Sequence, residues 1–323
     1  MRNAVALSLL SVAIALPAPA AAQSKDEFPS KPIRVVLGTA PGGGLEFVAR
    51  TITDKLSLMW KVPVLIDNQP GANGVTASQL VVGLPPDGYS LLFVSMAYGI
   101  NPSMYKLRFD PIADFRPIVQ VTSAPYVVSV DASVPSQSVA ELIELAKRKP
   151  GSLNYSSAGV GSPGHLATEL FSRAAGISMV HVPYKGSSPA ATALVSGEVQ
   201  VYFGSPPSVA RALGTGRVRA LAVTSPKRTS MLPNLPTVDE AGLRGYSVVG
   251  WYGFLAPSKV PAARIAAINE AVGIVLKMPD VIARLQNDGA EPAGGTSEEF
   301  AKLVANEIAM WKEVITRVGI KPE

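Results

Sequence analysis

Two glycine-rich turns carry the chemistry that this chain of 323 residues could do. The first, Gly38-Thr39-Ala40-Pro41-Gly42-Gly43-Gly44, follows the apolar run Ile33 to Leu37 and precedes a helical pattern that starts at Leu45. The second, Ser156-Ser157-Ala158-Gly159-Val160-Gly161-Ser162-Pro163-Gly164, lies between another short strand pattern and a helical run with His165, Leu166, Leu170 and Phe171. A strand that empties through glycines into a helix makes an anion site, because backbone N–H groups can approach a ligand at the positive end of the helix dipole. Glycine also serves plain chain reversal by supplying positive φ, so either loop alone is compatible with a structural connection. As a pair facing each other across a cleft, the two helix starts would grip one carboxylate, or both carboxylates of one ligand, without lysine or arginine. Each helix end contributes about 0.3–1 kcal/mol, and each charge-assisted N–H···O bond about 1.5–3 kcal/mol before entropic costs. Micromolar binding, about −8 kcal/mol, is within reach of such a clamp.

Competing chemistries lack their residues. Gly159, Gly161 and Gly164 formally spell a dinucleotide fingerprint, but the next strand pattern ends Val182-Pro183-Tyr184-Lys185, without the acid that would hold a ribose. There is no Gly-x-Ser-x-Gly elbow, no Walker lysine and no cysteine nucleophile. His165, close to Ser162, reads as a structural or ligand-contacting histidine rather than a base. Asp54, Asp67, Asp87 and Asp110 fall on a helix surface or in turns and form no acid/base pair. With no cysteine, and with His165 and His181 far apart in sequence, neither a metal nor a cofactor is expected, and no catalytic residue is assigned. The formal net charge of +5, without a run of five basic residues, argues against nucleic acid as a partner and leaves a small anion compatible.

The elements that must position the loops follow from periodicity. Short β-branched runs alternate with helical patterns, the signature of α/β layers around parallel sheets. Strands are expected at Ile33 to Leu37, Val62 to Ile66, Tyr89 to Ser95, Ile118 to Val130, Ser152 to Ser156, Met179 to Tyr184, Val199 to Phe203, Arg219 to Thr224 and Ser247 to Leu255. Leu45, Val48, Ile52, Leu56 and Met59 form one apolar helical stripe. Ser138 with Glu141, Thr237 with Glu240 and Thr296 with Glu299 fit the capping box, and Ser188-Pro189 places proline at a first helical position. Phe115 to Val130 and Tyr246 to Pro257 are the two expected crossings between domains. They divide the chain into residues 23–124 plus 249–323 and residues 125–248, with the ligand cleft between. Residues 1–22, with Arg2, an apolar core from Ala4 to Leu16 and the small residues Ala20-Ala21-Ala22, read as a signal peptide cleaved after Ala22. The mature chain would be exported, unanchored and monomeric.

A resemblance adds to this reading. Pro29-Ser30-Lys31-Pro32-Ile33-Arg34, Ala40-Pro41-Gly42-Gly43-Gly44, Asn68-Gln69-Pro70-Gly71-Ala72, Pro86-Asp87-Gly88-Tyr89, Ile100-Asn101-Pro102, Asn154-Tyr155-Ser156-Ser157-Ala158-Gly159, Val180-His181-Val182-Pro183-Tyr184-Lys185-Gly186, Leu221-Ala222-Val223-Thr224 and Leu235-Pro236-Thr237-Val238 occur in one order. In these fragments the chain resembles the Bug-type substrate-binding proteins of tripartite tricarboxylate transporters over essentially its mature length. The resemblance implies a two-domain periplasmic binding protein fold, type II-like, with two crossover hinge segments, which closes on a small carboxylate and delivers it to membrane permease subunits. It implies that backbone groups of residues 39 to 45 and 156 to 165 hold the carboxylate. The implied site comprises Thr39, Gly42, Gly43, Gly44, Leu45, Ser95 and Tyr98, together with Ser157, Ala158, Gly159, Gly161, His165, Phe203, Gly204 and Ser205.

Two departures from the family pattern bear on the ligand. Leu45 and Glu46 stand where many members carry a small hydroxyl residue and then Asp, and Gly204 stands where many carry Asp. Without that acid a ligand amino group loses its counter-charge, so a dicarboxylate or a partly apolar or aromatic carboxylate is expected over an amino acid. Docking of the closed form on a sensor kinase ectodomain is an alternative output, and an exported hydrolase or isomerase of small acids an alternative class.

Overall fold

The computed structural model describes residues 28–42, 44–229, 231–287 and 289–319. The expected signal peptide and Gly43 lie outside the described residues. The structure is a mixed α/β fold with two sheets. The first contains β1 (Ile33–Leu37), β2 (Val64–Asn68), β3 (Ser90–Ser95), β4 (Phe115–Pro125), β10 (Val249–Pro257) and β11 (Glu291–Gly294), in the order β11-β4-β10-β3-β1-β2. The second contains β5 (Val127–Asp131), β6 (Asn154–Ser157), β7 (Val180–Pro183), β8 (Val201–Gly204) and β9 (Val218–Val223), in the order β7-β6-β8-β5-β9. Helices α1 (Gly44–Trp60), α2 (Val75–Val82), α3 (Ala97–Met104), α8 (Ala262–Val275), α9 (Pro279–Asn287) and α10 (Ser297–Val318) accompany the first sheet. Helices α4 (Val139–Arg148), α5 (Pro163–Ala175), α6 (Ser187–Val195) and α7 (Pro206–Leu213) accompany the second.

In each sheet a glycine loop leaves the end of a central parallel strand. β1 pairs in parallel with β2 and β3, while β6 pairs in parallel with β7 and β8. Helix crossovers require this parallel arrangement and set the loops at the strands' carboxyl ends, where open α/β sheets place ligands. The α1 stripe is core: Leu45, Val48, Ile52 and Leu56 pack with Ile33, Val35 and Leu37 in one buried cluster.

The chain passes between sheets twice. The expected single strand Ile118 to Val130 is two strands, because the chain leaves the first sheet after Pro125 and enters the second at Val127. Thr224 ties both passages together. Its N–H donates to the Tyr126 carbonyl at 2.9 Å, its hydroxyl accepts from the Tyr126 N–H at 2.7 Å and donates to the Val248 carbonyl at 2.6 Å, and its carbonyl accepts from the Val248 N–H at 2.9 Å.

Three local expectations need correction. β2 starts at Val64 rather than Val62, since Pro63 has no N–H and joins the ladder only through its carbonyl, which accepts from the Ile33 N–H at 2.9 Å. Thr237 and Glu240 do exchange capping-box hydrogen bonds, both at 3.0 Å, but cap a single turn, because Gly242 and Gly245 take positive φ immediately afterwards. Pro189 is the third residue of α6, which begins at Ser187. The Thr296–Glu299 capping box is complete at the start of α10, and the Ser138 hydroxyl caps α4.

Candidate functional site

Between the two sheets lies a cleft of about 620 Å³. Five strand-to-helix junctions reach it: Gly44 and Leu45 of α1, Ser95 and Met96 before α3, Ser162 to Gly164 at α5, Ser187 of α6, and Ser205 and Pro206 at α7. The first N–H groups of a helix have no partner within it, and its dipole is positive at that end. The donors that the cleft offers are therefore mainly backbone N–H groups at helix starts. Its side-chain charge is small, since Arg211 lines it and no Asp or Glu does among the described residues.

The expected site residues divide into those that line the cleft and those that shape its loops. Thr39, Gly42, Gly44, Leu45, Ser95, Ala158, Phe203 and Ser205 line it. Ser157, Gly159, Gly161 and His165 do not; they form a brace behind the second loop. The Gly161 N–H donates to His165 Nδ1 at 3.1 Å, and the Gly159 N–H donates to the Ser157 hydroxyl at 3.1 Å. That hydroxyl also lies 2.6 Å from His181 Nε2. The two imidazoles stack at 3.9 Å between centroids, and His181 stacks on Tyr155 at 4.8 Å. Burial, followed by the charge of His181, pushes His165 down to about 4, and burial lowers His181 as well. Both rings are therefore neutral near pH 7, and His165 can accept at Nδ1.

The first loop is braced by an ion pair. The Gly42 N–H donates to the buried Glu46 carboxylate at 2.7 Å, and Arg50 donates to the other oxygen of the same carboxylate from Nε at 2.8 Å. The Gly42 N–H, then Arg50, hold Glu46 below its ordinary value. Three glycine N–H groups expected to meet ligand, those of Gly42, Gly159 and Gly161, are thus spent on bracing in this structure.

Tyr98 and Gly204 also stand away from the cleft. Tyr98 is buried, donates to the Pro111 carbonyl at 2.7 Å, and lines a separate cavity of about 40 Å³ beneath Leu45 and Ser95. Gly204 is filled over by its own neighbour, as a Cβ there would stand 2.2 Å from the Tyr202 ring. The place where many relatives are expected to carry an acid is taken by that aromatic ring.

Sequence reasoning did not single out Arg211, Tyr126, Thr122, Trp251 or Tyr252, all of which line the cleft. Thr122 and Tyr252 face each other on β4 and β10. The Thr122 hydroxyl and the Trp251 indole N–H are buried with no hydrogen-bond partner among the described residues, and such orphaned polar groups are costly unless something outside the protein satisfies them. Arg211 had one usable signal: it falls three residues after Ser208, on the same face of a helix opened by Ser205-Pro206.

Comparison with known proteins agrees with this geometry. The family described as "Tripartite tricarboxylate transporter family receptor" matches residues 48–320. A UPF0065 protein from the tcbD-tcbE intergenic region of Pseudomonas sp. strain P51 is 36% identical over 296 residues, covering 91% of this chain and 88% of that protein. Among solved structures, Rhodopseudomonas palustris Rpa4515 with adipate superposes with a TM-score of 0.78 at 34% identity, covering 92% of this chain and 100% of the other. MatC from Rhodopseudomonas palustris with bound malate gives a TM-score of 0.73 at 31% identity, covering 89% and 100%.

Proposed function

We propose, from the premise that the chain belongs to the tripartite tricarboxylate transporter receptor family, that it is an exported, non-catalytic receptor that captures a small carboxylate and hands it to membrane permease subunits. The observation that carries this reading is the cleft itself, walled by helix starts from both sheets and lacking any acidic side chain among the described residues. The relatives with adipate and malate support a carboxylate as the ligand class.

The donors we assign are the N–H groups of Gly44, Leu45, Gly164 and Ser187, with Gly42, Gly159 and Gly161 shaping the loops that present them. Residues 23–124 plus 249–323 form one domain and residues 125–248 the other, hinged where Thr224 joins Tyr126 and Val248. A ligand touching both glycine loops is bound fully only when the domains close, and that differential affinity drives closure by population shift. The Tyr202 ring packed over Gly204 leaves no counter-charge for a ligand amine, so amino acids are disfavoured.

Native mass spectrometry of the freshly purified protein, followed by calorimetry with adipate, malate, aspartate and glutamate, tests the reading. A carried-over or titrated carboxylate with dissociation constant around micromolar is expected. Absence of any carboxylate binding, or turnover of the bound acid, would sink it. Tightest binding by aspartate or glutamate would remove the argument from Gly204 alone.

A further inference from the structure

We infer that Glu307, a carboxyl buried beside the core that the two halves of the molecule share, links their opening and closing to the release and uptake of a proton; the inference takes from the reading above only its two hinged domains. Glu307 lies on α10, which packs against α3 and β4 of its own half and against α5 of the other. Its Oε2 accepts from the indole N–H of Trp311, one turn further on. Trp311 is fully buried, in the cluster that also holds Tyr246 and, from α5, Leu166 and Phe171. A hinge motion that parts α10 from α5 therefore opens this cluster at the group bonded to Glu307. On its own half the fit is tight, since a Cβ on Gly99 of α3 would stand 3.1 Å from the Glu307 Cβ. The same helix ends at Met104, whose methyl lies 3.4 Å from where a Cβ on Gly161 of the second loop would stand.

No ion pair compensates the carboxyl among the described residues. One turn to either side on α10 stand Leu303, Val304, Met310 and Trp311, all without charge. On α3 the titratable group is Tyr98, which donates to the Pro111 carbonyl at 2.7 Å, and on β4 the charged residue is Arg116, second in the strand. On α5, His165 accepts from the Gly161 N–H, Glu169 accepts from the Tyr155 hydroxyl, and Arg173 is exposed. On α8, which also packs on α10, Arg264 donates to the Asp87 carbonyl and Glu270 is exposed. Burial thus governs Glu307 and pushes it up to about 7, against the opposing Trp311 bond. Its charge is felt at the hinge, where burial and then Tyr252, Tyr202 and Glu307 hold the Tyr126 hydroxyl protonated. Tyr126 bonds Thr224 at the first crossing, and its hydroxyl would stand 3.2 Å from a Cβ on Gly250 at the second.

An arrangement that admits water returns the carboxyl toward its ordinary 4.5. The covered arrangement binds the proton more tightly, so acid favours it. As pH rises from 4.5 to 7 the balance moves toward the water-admitting arrangement by up to about tenfold per unit, and above 7 it moves no further.

A chain without cysteine makes the motion measurable. Spin labels at Asp54→Cys on α1 and Lys147→Cys on α4, both exposed, report the distance between the halves by pulsed electron paramagnetic resonance without ligand. In the labelled parent the distance distribution should move between pH 5 and pH 8. Glu307→Gln keeps an acceptor for Trp311 but has no proton to lose, so it should hold the pH 5 distribution throughout and have a higher thermal midpoint than the parent at pH 8. Trp311→Phe removes the bond that opposes burial and should move the transition to higher pH. A parent distribution that ignores pH, a movement that survives in Glu307→Gln, or a transition left in place by Trp311→Phe would overturn the inference. Adipate added at pH 8 tests the receptor reading separately. A distribution that moves with adipate but not with pH leaves the receptor without the proton link, and one that moves with pH but not with adipate supports the link and counts against adipate capture.

Discussion

The two glycine loops reach the same cleft by different chemistry. Both follow a parallel strand, both open a helix, and both spend glycine N–H groups on their own support. The first is held by charge, through Glu46 with Arg50 beside it, whereas the second is held by neutral rings, through His165, His181 and the Ser157 hydroxyl. A glycine in each is also pinched against backbone: a Cβ on Gly38 would stand 2.3 Å from Gly74 Cα, and one on Gly164 would stand 2.7 Å from the Phe203 carbonyl. The glycines thus set the shape of a loop, and the braces behind them decide under what conditions it persists.

The largest expected effect comes from the pinch points. Gly38→Ala must push two backbone segments apart and should cost about 3 kcal/mol, at the upper end for overpacking. Gly164→Ala meets a single carbonyl oxygen and should cost less, about 1–2 kcal/mol. Urea denaturation of both variants measures the order, and a costlier Gly164→Ala would reverse this ranking of the loops.

Acid separates the braces next. His165 has a folded value of about 4, below its ordinary 6.5, so below pH 6.5 the unfolded chain binds a proton that the folded chain refuses. Its contribution to stability is full above pH 6.5 and is lost as pH falls toward 4, with a slope of up to about 1.4 kcal/mol per pH unit. His165→Gln should flatten the stability profile across that window. Glu46 is lowered from its ordinary 4.5, so its support stays full over most of this window, down to pH 4.5, and is lost as pH falls further. An unchanged slope in His165→Gln would remove the histidine from the second brace.

What was legible in the sequence follows the same division. Strand β1 matches its expected residues because four of its five, all but Arg34, are buried aliphatics, and the α1 stripe was readable from its spacing. Strand β11 was not foreseen, since Glu291-Pro292-Ala293-Gly294 has no β-branched residue and is itself an edge strand, paired only with β4. Helix α3 was hidden by Pro102 in its interior. Within the cleft, glycine loops announce themselves through composition, but Arg211, Thr122 and Trp251 are brought there by tertiary packing that no local pattern encodes. The braces are intermediate. Glu46 was visible as a departure in sequence, yet only the fold shows its carboxylate turned back onto the Gly42 N–H. His165 was visible as a candidate ligand contact, and the fold makes it a support for Gly161 instead.

The smallest effect is the most direct on the comparison, because it reads each brace at the amide it holds. If Glu46 ties down Gly42, Glu46→Gln keeps an acceptor but loses the charge, and the Gly42 amide should exchange with solvent a few-fold faster, roughly tenfold at most, since local opening sets the rate. Glu46→Ala removes the acceptor and should accelerate it further. The Gly161 amide, donated to His165 Nδ1 beside the second sheet, should be unaffected by either change and should respond instead to His165→Gln. Exchange measured by NMR at pH 6 in all three variants gives a two-by-two pattern. Independent braces predict acceleration only at the local amide, and this holds even where total stability moves little. Acceleration of Gly161 by Glu46→Gln, at unchanged global stability, would mean that the loops are coupled without ligand, with the junction of Thr224, Tyr126 and Val248 as the route between the sheets. In that case the two loops form a single pre-strained unit rather than two independently braced ones.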